Sequence, residues 1–293
     1  PDAFRTKAQH LATHPIVRLI QGDVNDLHGI NAQYDIVIHA ATDVVKPDTD
    51  PVTVFDGIVN GTKQTLALTI RSKARRYLLT SSGAVYGCQP SEITNISESY
   101  LGAPDTAQLN SAYGQAKRVS EWLVQCHTDQ QGIEAKIARC FALIGPYLPL
   151  DAHFAVGNFI KDGLSGHTIK VNGDGTTYRS YLYAADMTIW LLTILINGST
   201  GQAYNLGSDK GIAISDLAEK VSNIVFGETK VSIGAKPISN TPPQRYVPNI
   251  DKAKDELQLR EYTDLQSAIR KTIDWAIQKR ESPSRDMSGF RNA

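Results

Sequence analysis

With 293 residues, the chain is long enough to bury one large hydrophobic core or two modest ones. Its 30 basic and 30 acidic residues balance, so the charge gives no reason to expect a nucleic acid or an anionic membrane as a partner. No apolar run approaches the roughly 20 residues that span a bilayer, and Cys88, Cys126 and Cys140 lack the spacing of metal ligands. We therefore expect a cytoplasmic globular protein that has no metal site.

Two stretches in the first part of the chain are typical of strands. Residues 17–24 are largely apolar and end in Gly-Asp-Val, and residues 35–41 form an apolar run that ends in small residues. A helix is predicted for residues 51–72, because its apolar residues share one face. Gly61 lies inside this helix and costs about 1 kcal/mol relative to alanine there, which indicates a close contact or a function.

The stretch from Arg76 to Gly87 begins as an aromatic and aliphatic run and stops abruptly in hydroxyls and glycine. This pattern is typical of a buried parallel strand that opens at its carboxyl end. Ligands of open α/β sheets bind at that edge. We therefore expect the serines at this point, Ser81 and Ser82, to lie beside a ligand.

A helix is predicted after residue 111, because apolar residues recur every three or four positions from Ala112 to Cys126. Tyr113 and Lys117 are one helical turn apart on the flank of this apolar stripe. An ammonium group stabilises a phenolate beside it, so we expect the pKa of Tyr113 to fall below its usual value of about 10. Such a tyrosine can take a proton from a hydroxyl and return it.

Together these stretches resemble the extended short-chain dehydrogenase/reductase family, the NAD-dependent nucleotide-sugar epimerases and dehydratases. The resemblance rests on Thr-Ser-Ser-x-x-Val-Tyr-Gly at 80–87 and Tyr-Gly-x-x-Lys at 113–117, and it continues to about residue 280. It implies that Ser82, Tyr113 and Lys117 are the catalytic residues. It also implies an α/β fold with a doubly wound, Rossmann-type parallel sheet and a smaller α+β substrate lobe.

The cofactor implied by the resemblance is NAD, with NADP less favoured. Residues 17–24 and 35–41 match the third and fourth strands of the family, so the sheet is expected to be N-terminally incomplete by one βαβ unit of roughly forty residues. For His39 the residue type itself suggests a packed, hydrogen-bonded side chain, since the acid/base role is already filled. The cofactor-binding residues implied by the resemblance are Asp23, Val24, His39, Ala40, Ala41, Asn60, Ser81, Tyr113 and Lys117.

The second half of the chain has shorter elements and resembles the substrate lobe of the family. A guanidinium group can bind a diphosphate through two parallel hydrogen bonds, so two matching arginines suit a nucleotide-diphosphate sugar as partner. Ala142 stands where the family often has an asparagine that contacts the sugar, and this leaves the particular sugar open. The substrate-binding residues implied are Ser82, Ala142, Asn158, Val171, Arg179 and Arg245.

The expected organisation has an NAD-binding domain at 1–145 and a substrate lobe at 146–280, within which 180–206 partly returns to the sheet. Residues 281–293 are polar and without periodicity, which predicts a disordered tail. Members of the family habitually dimerise through two helices per subunit. The apolar stripe after residue 111 is compatible with such a homodimer.

The mechanism implied by the resemblance is a reversible hydride transfer. Lys117 holds the nicotinamide ribose, Tyr113 deprotonates a sugar hydroxyl, usually at C4, and Ser82 hydrogen-bonds that oxygen. Family members that remove water or carbon dioxide commonly carry an acidic residue soon after the serine, whereas Gly83 and Ala84 cannot transfer a proton.

The sequence therefore favours a 4-epimerase or 4-keto-reductase over a 4,6-dehydratase or a UDP-glucuronate decarboxylase-like enzyme. A non-catalytic NAD-binding regulator on the same fold is the alternative of another class. Such regulators typically lose the tyrosine or the lysine, and this chain keeps both.

Overall fold

The computed structural model describes residues 2–42, 49–152, 154–238 and 241–281. The helices are α1 (Asp2–Lys7), α2 (Gln9–Ala12), α3 (Pro51–Arg71), α4 (Ala112–Gln131), α5 (Ala155–Leu164), α6 (Ala184–Asn197), α7 (Ile214–Phe226), α8 (Asp251–Leu257) and α9 (Leu265–Glu281). The strands are β1 (Ile36–His39), β2 (Arg76–Ser82), β3 (Glu134–Cys140), β4 (Leu143–Ile144), β5 (Ile169–Val171), β6 (Tyr178–Arg179), β7 (Leu182–Tyr183), β8 (Ala203–Leu206), β9 (Ile212–Ala213), β10 (Val231–Ile233) and β11 (Arg245–Tyr246).

The main sheet has the strand order β1-β2-β3-β8, and every neighbouring pair in it is parallel. Helices cover both of its faces, so alternate residues of β2 enter different cores. Leu79 packs with Leu66 of α3 and Val124 of α4, whereas Leu78 packs with Trp190 of α6. Burial on both faces explains the unbroken apolar run in this strand. The expected doubly wound, Rossmann-type sheet is confirmed.

The predicted strand at 17–24 is wrong: the structure has turns and unpaired backbone there. A strand needs a neighbour that takes up its hydrogen bonds. Among the described residues, β1 pairs with β2 alone, and no strand lies beside residues 17–24. Val24 instead approaches helix α3, where its side chain would lie 3.2 Å from a Cβ atom placed on Gly61. The close contact expected at Gly61 is therefore present.

The second half of the chain forms small sheets and helices around a separate apolar core. Ile160 of α5, Leu217 of α7 and Ile269 of α9 are fully buried in this core. Strand β6 pairs in parallel with β11, so that Tyr178 lies opposite Arg245 and Arg179 lies opposite Tyr246. After these elements the chain returns to the main sheet, where β8 pairs with β3. The domain boundaries at 145 and 280 stay predictions, and residues 282–293 lie outside the described part of the chain.

The apolar stripe of α4 packs against α3 within the chain. Ala116 is fully buried against Ile58 and Val59, and Leu123 packs beside them. The stripe is therefore occupied by intramolecular packing, so it gives no support to a dimer contact, and the homodimer stays a prediction. None of the helices in the described ranges is both long enough and apolar enough to cross a membrane.

Candidate active site

The carboxyl end of β2 places a hydroxyl at the open edge of the sheet. The strand ends at Ser82, and the chain turns at once into a 3₁₀ helix over Gly83–Tyr86. The Ser82 Oγ atom accepts a hydrogen bond from the backbone N–H of Ala84 at 3.1 Å and so caps this turn. The side chain is only 7% exposed, which holds the hydroxyl in one place.

The first turns of α4 bring two more predicted residues to this edge. The Ser82 hydroxyl faces the phenol of Tyr113 and lowers its pKa by hydrogen bonding. The Lys117 Nζ atom lies 5.8 Å from the centroid of the Tyr113 ring. The structure therefore brings Ser82, Tyr113 and Lys117 together, although their catalytic roles stay predictions.

Lys117 is 2% exposed, and its ammonium group is held by two hydrogen bonds. The Nζ atom donates to Thr42 Oγ1 at 2.8 Å and to the backbone oxygen of Thr80 at 2.9 Å. An ammonium group has three N–H donors, so one remains for a ligand hydroxyl. This donor set fits the ribose of a nicotinamide cofactor.

The expected low pKa of Tyr113 is wrong for this structure. Burial raises the pKa of the phenol above its usual value, and the hydrogen bond from Ser82 offsets only part of that rise. Burial also lowers the pKa of Lys117 to about 8. Both groups lose more by leaving water than each gains from the other, because the ammonium group sits 5.8 Å from the ring centroid.

The carboxyl end of β1 carries three of the predicted cofactor-binding residues. His39 is 3% exposed, as expected of a packed histidine, and burial together with Lys117 lowers its pKa to about 4. Its Nδ1 atom has no hydrogen-bond partner in the described part of the chain, contrary to the expected hydrogen-bonded ring. Ala40 and Ala41 follow the strand and are exposed. A buried nitrogen without a partner beside exposed small residues fits an edge that binds a polar cofactor.

Three other predicted cofactor-binding side chains are engaged elsewhere or exposed. The Asp23 carboxylate accepts hydrogen bonds from the backbone and side-chain nitrogens of Asn25, at 2.9 and 3.0 Å, within an exposed turn. The Ser81 hydroxyl donates to Glu121 of α4, and Asn60 is exposed on α3. The hydrogen bonds of Asp23 and Ser81 therefore serve the fold in this structure.

A cavity of about 990 Å³ lies in the second half of the chain, within the range that holds nucleotide-sized ligands. It adjoins the catalytic edge, because Phe141 and Ala142, which line it, directly follow the β3 residue that pairs with Ser82. Lys161 and Lys170 contribute positive charge to its wall. The predicted substrate residues that line it are Ala142, Asn158, Val171 and Arg179.

Arg245 is not among the residues that line this cavity, contrary to the expected position of a second diphosphate ligand. Its guanidinium group lies over the ring of Tyr178, 4.3 Å from the centroid. Successive residues of a strand point to opposite sides, so the next residue of β11, Tyr246, faces the site instead. The Tyr246 hydroxyl lies 3.4 Å from Ser82 Oγ. The sequence analysis missed Tyr246, which this alternation would have identified.

Comparison with known proteins agrees with this arrangement. A family model described as the NAD dependent epimerase/dehydratase family matches residues 2–207. The chain is 35% identical over 248 residues to UDP-glucuronic acid decarboxylase 3 of Arabidopsis thaliana, covering 83% of this chain and 70% of that protein. It is 31% identical over 266 residues to UDP-glucuronic acid decarboxylase 1 of the same plant, covering 90% of this chain and 59% of that protein's length.

A solved structure of dTDP-glucose 4,6-dehydratase from Bacillus anthracis in complex with NAD has a similar fold. The TM-score is 0.78 at 17% identity, and the match covers 94% of this chain and 85% of the other. The family match spans more than two thirds of the sequence, and it includes the strand and helix that carry Ser82, Tyr113 and Lys117. The chain belongs to the NAD-dependent epimerase/dehydratase family of enzymes.

Proposed function

We propose that this protein uses NAD to oxidise a nucleotide-diphosphate sugar at its C4 hydroxyl and later reduces the product. The observation that carries the proposal is the convergence of Ser82, Tyr113 and Lys117 at a sheet edge that continues into a cavity of about 990 Å³. Apolar walls with a few convergent polar groups are typical of sites for ligands of this size. Arg179 and the two lysines of the cavity supply positive charge for a diphosphate.

Each of the three side chains has a separate task in this proposal. Lys117 holds the cofactor ribose with its remaining N–H and brings a positive charge to the phenol. Tyr113 takes the proton of the C4 hydroxyl and returns it to the same oxygen. Ser82 donates a hydrogen bond to that oxygen throughout. When bound, NAD would accept a hydride from the sugar carbon and give it back.

For the step that follows oxidation, we favour loss of carbon dioxide from a hexuronate. A 4-keto sugar with a carboxylate at C6 is a β-keto acid: the C5–C6 bond breaks and its electrons move onto the C4 oxygen. Hydrogen bonds from Tyr113 and Ser82 to that oxygen would stabilise the resulting enolate. This step needs no base beside Gly83 or Ala84, and two relatives are UDP-glucuronic acid decarboxylases.

A 4-epimerase or 4-keto-reductase is the second candidate, and Gly83 and Ala84 favour it. Neither residue carries a side chain that transfers protons, and reduction of the 4-keto group requires no further acid or base. The same argument weighs against 4,6-dehydration, which must remove a proton from C5 and expel water from C6. NAD, rather than NADP, is the cofactor in either case.

The test is to incubate the full-length protein and NAD with UDP-glucuronate, UDP-glucose and dTDP-glucose, and to identify the products by NMR. A UDP-pentose formed together with carbon dioxide supports the decarboxylase, and a 4-epimer of either sugar supports the second candidate. A 4-keto-6-deoxy sugar formed at a rate of order 1 s⁻¹ would contradict both. No product and no NAD reduction with any sugar nucleotide would overturn the proposed C4 oxidation.

A further inference from the structure

Tyr246 reaches the catalytic edge from the far end of the chain. Its hydroxyl lies 3.4 Å from Ser82 Oγ, and the two residues are 164 positions apart. The contact is long for a hydrogen bond between hydroxyls, but catalytic hydrogen bonds often tighten when a ligand binds. The side chain is half-buried, and two-residue strand β11 holds it in register with Arg179.

The hydrogen bonds of Ser82 give this contact a direction. A hydroxyl oxygen has two lone pairs and one proton. The backbone N–H of Ala84 already donates to one lone pair of Ser82 Oγ, at 3.1 Å. If the Tyr246 hydroxyl donates to the other, both lone pairs are filled. The Ser82 proton is then left to point toward a third oxygen, and the Tyr113 phenol faces it.

The ring of Tyr246 is held so that its hydroxyl can act only as a donor. It packs against Phe141 with the ring centroids 4.6 Å apart, and the Arg179 guanidinium lies 5.6 Å from its centroid on β6. Burial raises the pKa of Tyr246 well above its usual range, so the phenol stays protonated at working pH. Other titratable or charged groups face this cluster as well: Tyr113 and Lys117 from α4, and Cys140 from β3.

Tyr246 also fills the space that a side chain at position 83 would need. A Cβ atom placed on Gly83 would lie 2.8 Å from the Tyr246 hydroxyl oxygen and 2.6 Å from Phe141 Cζ. Both distances are too short for a side chain to be accommodated without movement of these rings. The phenol therefore occupies the flank of the site where the next residue after the serine would otherwise project.

We propose that Tyr246 is a positioning residue: its hydroxyl donates to Ser82 Oγ and so aims the Ser82 proton at the Tyr113 phenol and at the C4 oxygen of the substrate. The role at the C4 oxygen rests on the proposed function, whereas the effect on Tyr113 does not. Tyr246 acts through Ser82 in both cases, and the ring closes the flank beside Gly83.

Tyr246→Phe in the full-length protein tests this, because it keeps the ring and removes only the hydroxyl. We expect kcat to fall about 10-fold with KM changed less than about 2-fold, as for loss of one hydrogen bond. In a Ser82→Ala background the same substitution should have no further effect on kcat, since the hydroxyl acts through Ser82. Tyr100→Phe is the matched control, as this half-buried tyrosine belongs to the same aromatic cluster.

A second readout does not depend on turnover. In protein labelled with [ζ-¹³C]tyrosine, the Tyr113 resonance is identified by its loss in Tyr113→Phe. We expect Tyr246→Phe to shift this resonance at neutral pH and Tyr100→Phe to leave it unchanged. An unshifted Tyr113 resonance, or an equal loss of kcat with and without Ser82, overturns the positioning role. If wild type turns over no sugar nucleotide while the resonance still shifts, the proposed function fails and the positioning role stands.

Discussion

The carboxylate of Glu121 is bound by the guanidinium group of Arg139 through several hydrogen bonds, the shortest of them 2.7 Å between Nη2 and Oε2. The two side chains are 10% and 16% exposed, so the pair is largely removed from water. Ser81 donates to the same carboxylate. Glu121 therefore joins α4 to β2 and β3 one turn after Lys117, and it fixes the helix that carries Tyr113.

Glu121→Gln is expected to lower the free energy of unfolding by about 3 kcal/mol, because it leaves the Arg139 charge buried without a counter-charge. Arg75→Ala is the control: it removes the partner of Glu134 in an ion pair whose arginine is 80% exposed, and such pairs contribute little. Urea unfolding of the two variants measures both effects. Equal losses in the two variants would contradict the structural role assigned to Glu121.

Tyr113→Phe is expected to lower turnover of the sugar nucleotide by 10²- to 10⁴-fold, the usual contribution of a positioned acid/base. The ring should keep its packing against Ile58 and Val59, so the melting temperature should stay within error of wild type. Steady-state kinetics and thermal unfolding check the two parts. Tyr262→Phe, at an exposed tyrosine, is the control and should retain full activity. A Tyr113→Phe variant as active as this control would exclude Tyr113 from the chemistry.

Gly83→Ala is expected to lower the free energy of unfolding by about 1–3 kcal/mol, as overpacking typically does. The added Cβ would lie 2.6 Å from Phe141 Cζ and 2.8 Å from the Tyr246 hydroxyl oxygen. Gly57→Ala is the matched control, because nothing lies within 4 Å of its added Cβ in α3. In a helix this control should stabilise the protein by roughly 0.5–1 kcal/mol. Denaturant unfolding that shows the same sign for both variants would contradict the packing around Gly83.

The protein is expected to lose stability as the pH falls from about 6.5 to about 4. The pKa of His39 is about 4 in the folded protein and 6.5 without burial, so the unfolded state binds more protons in this window and the free energy of unfolding rises with pH. The full effect is on the order of 2–3 kcal/mol. Lys117, whose pKa is about 8, acts only above this window.

Urea unfolding at pH 7 and pH 4.5, for wild type and His39→Gln, measures this contribution. The variant cannot take up the proton, so its stability should change less between the two pH values. If both proteins lose the same free energy on acidification, burial of His39 is not the cause of the loss.

Local patterns in the sequence were sufficient to predict much of the sheet and of the catalytic cluster. Ser82 ends a strand whose apolar run requires burial on both faces, and Tyr113 and Lys117 are placed on one flank of a helix by its periodicity alone. These features depend on residues close together in the chain. The strand predicted at 17–24 failed because a strand also needs a neighbouring strand, which its own residues cannot supply.

Only the tertiary structure decided which side of β11 faces the site. Two residues are too few to show an apolar period, so the pairing of Tyr246 with Arg179 turned Arg245 away from the cavity and brought the phenol to Ser82. The same holds for the pKa of Tyr113. The sequence determined that Lys117 lies one turn away, but the balance between this charge and the loss of hydration depends on how the whole chain packs around the phenol.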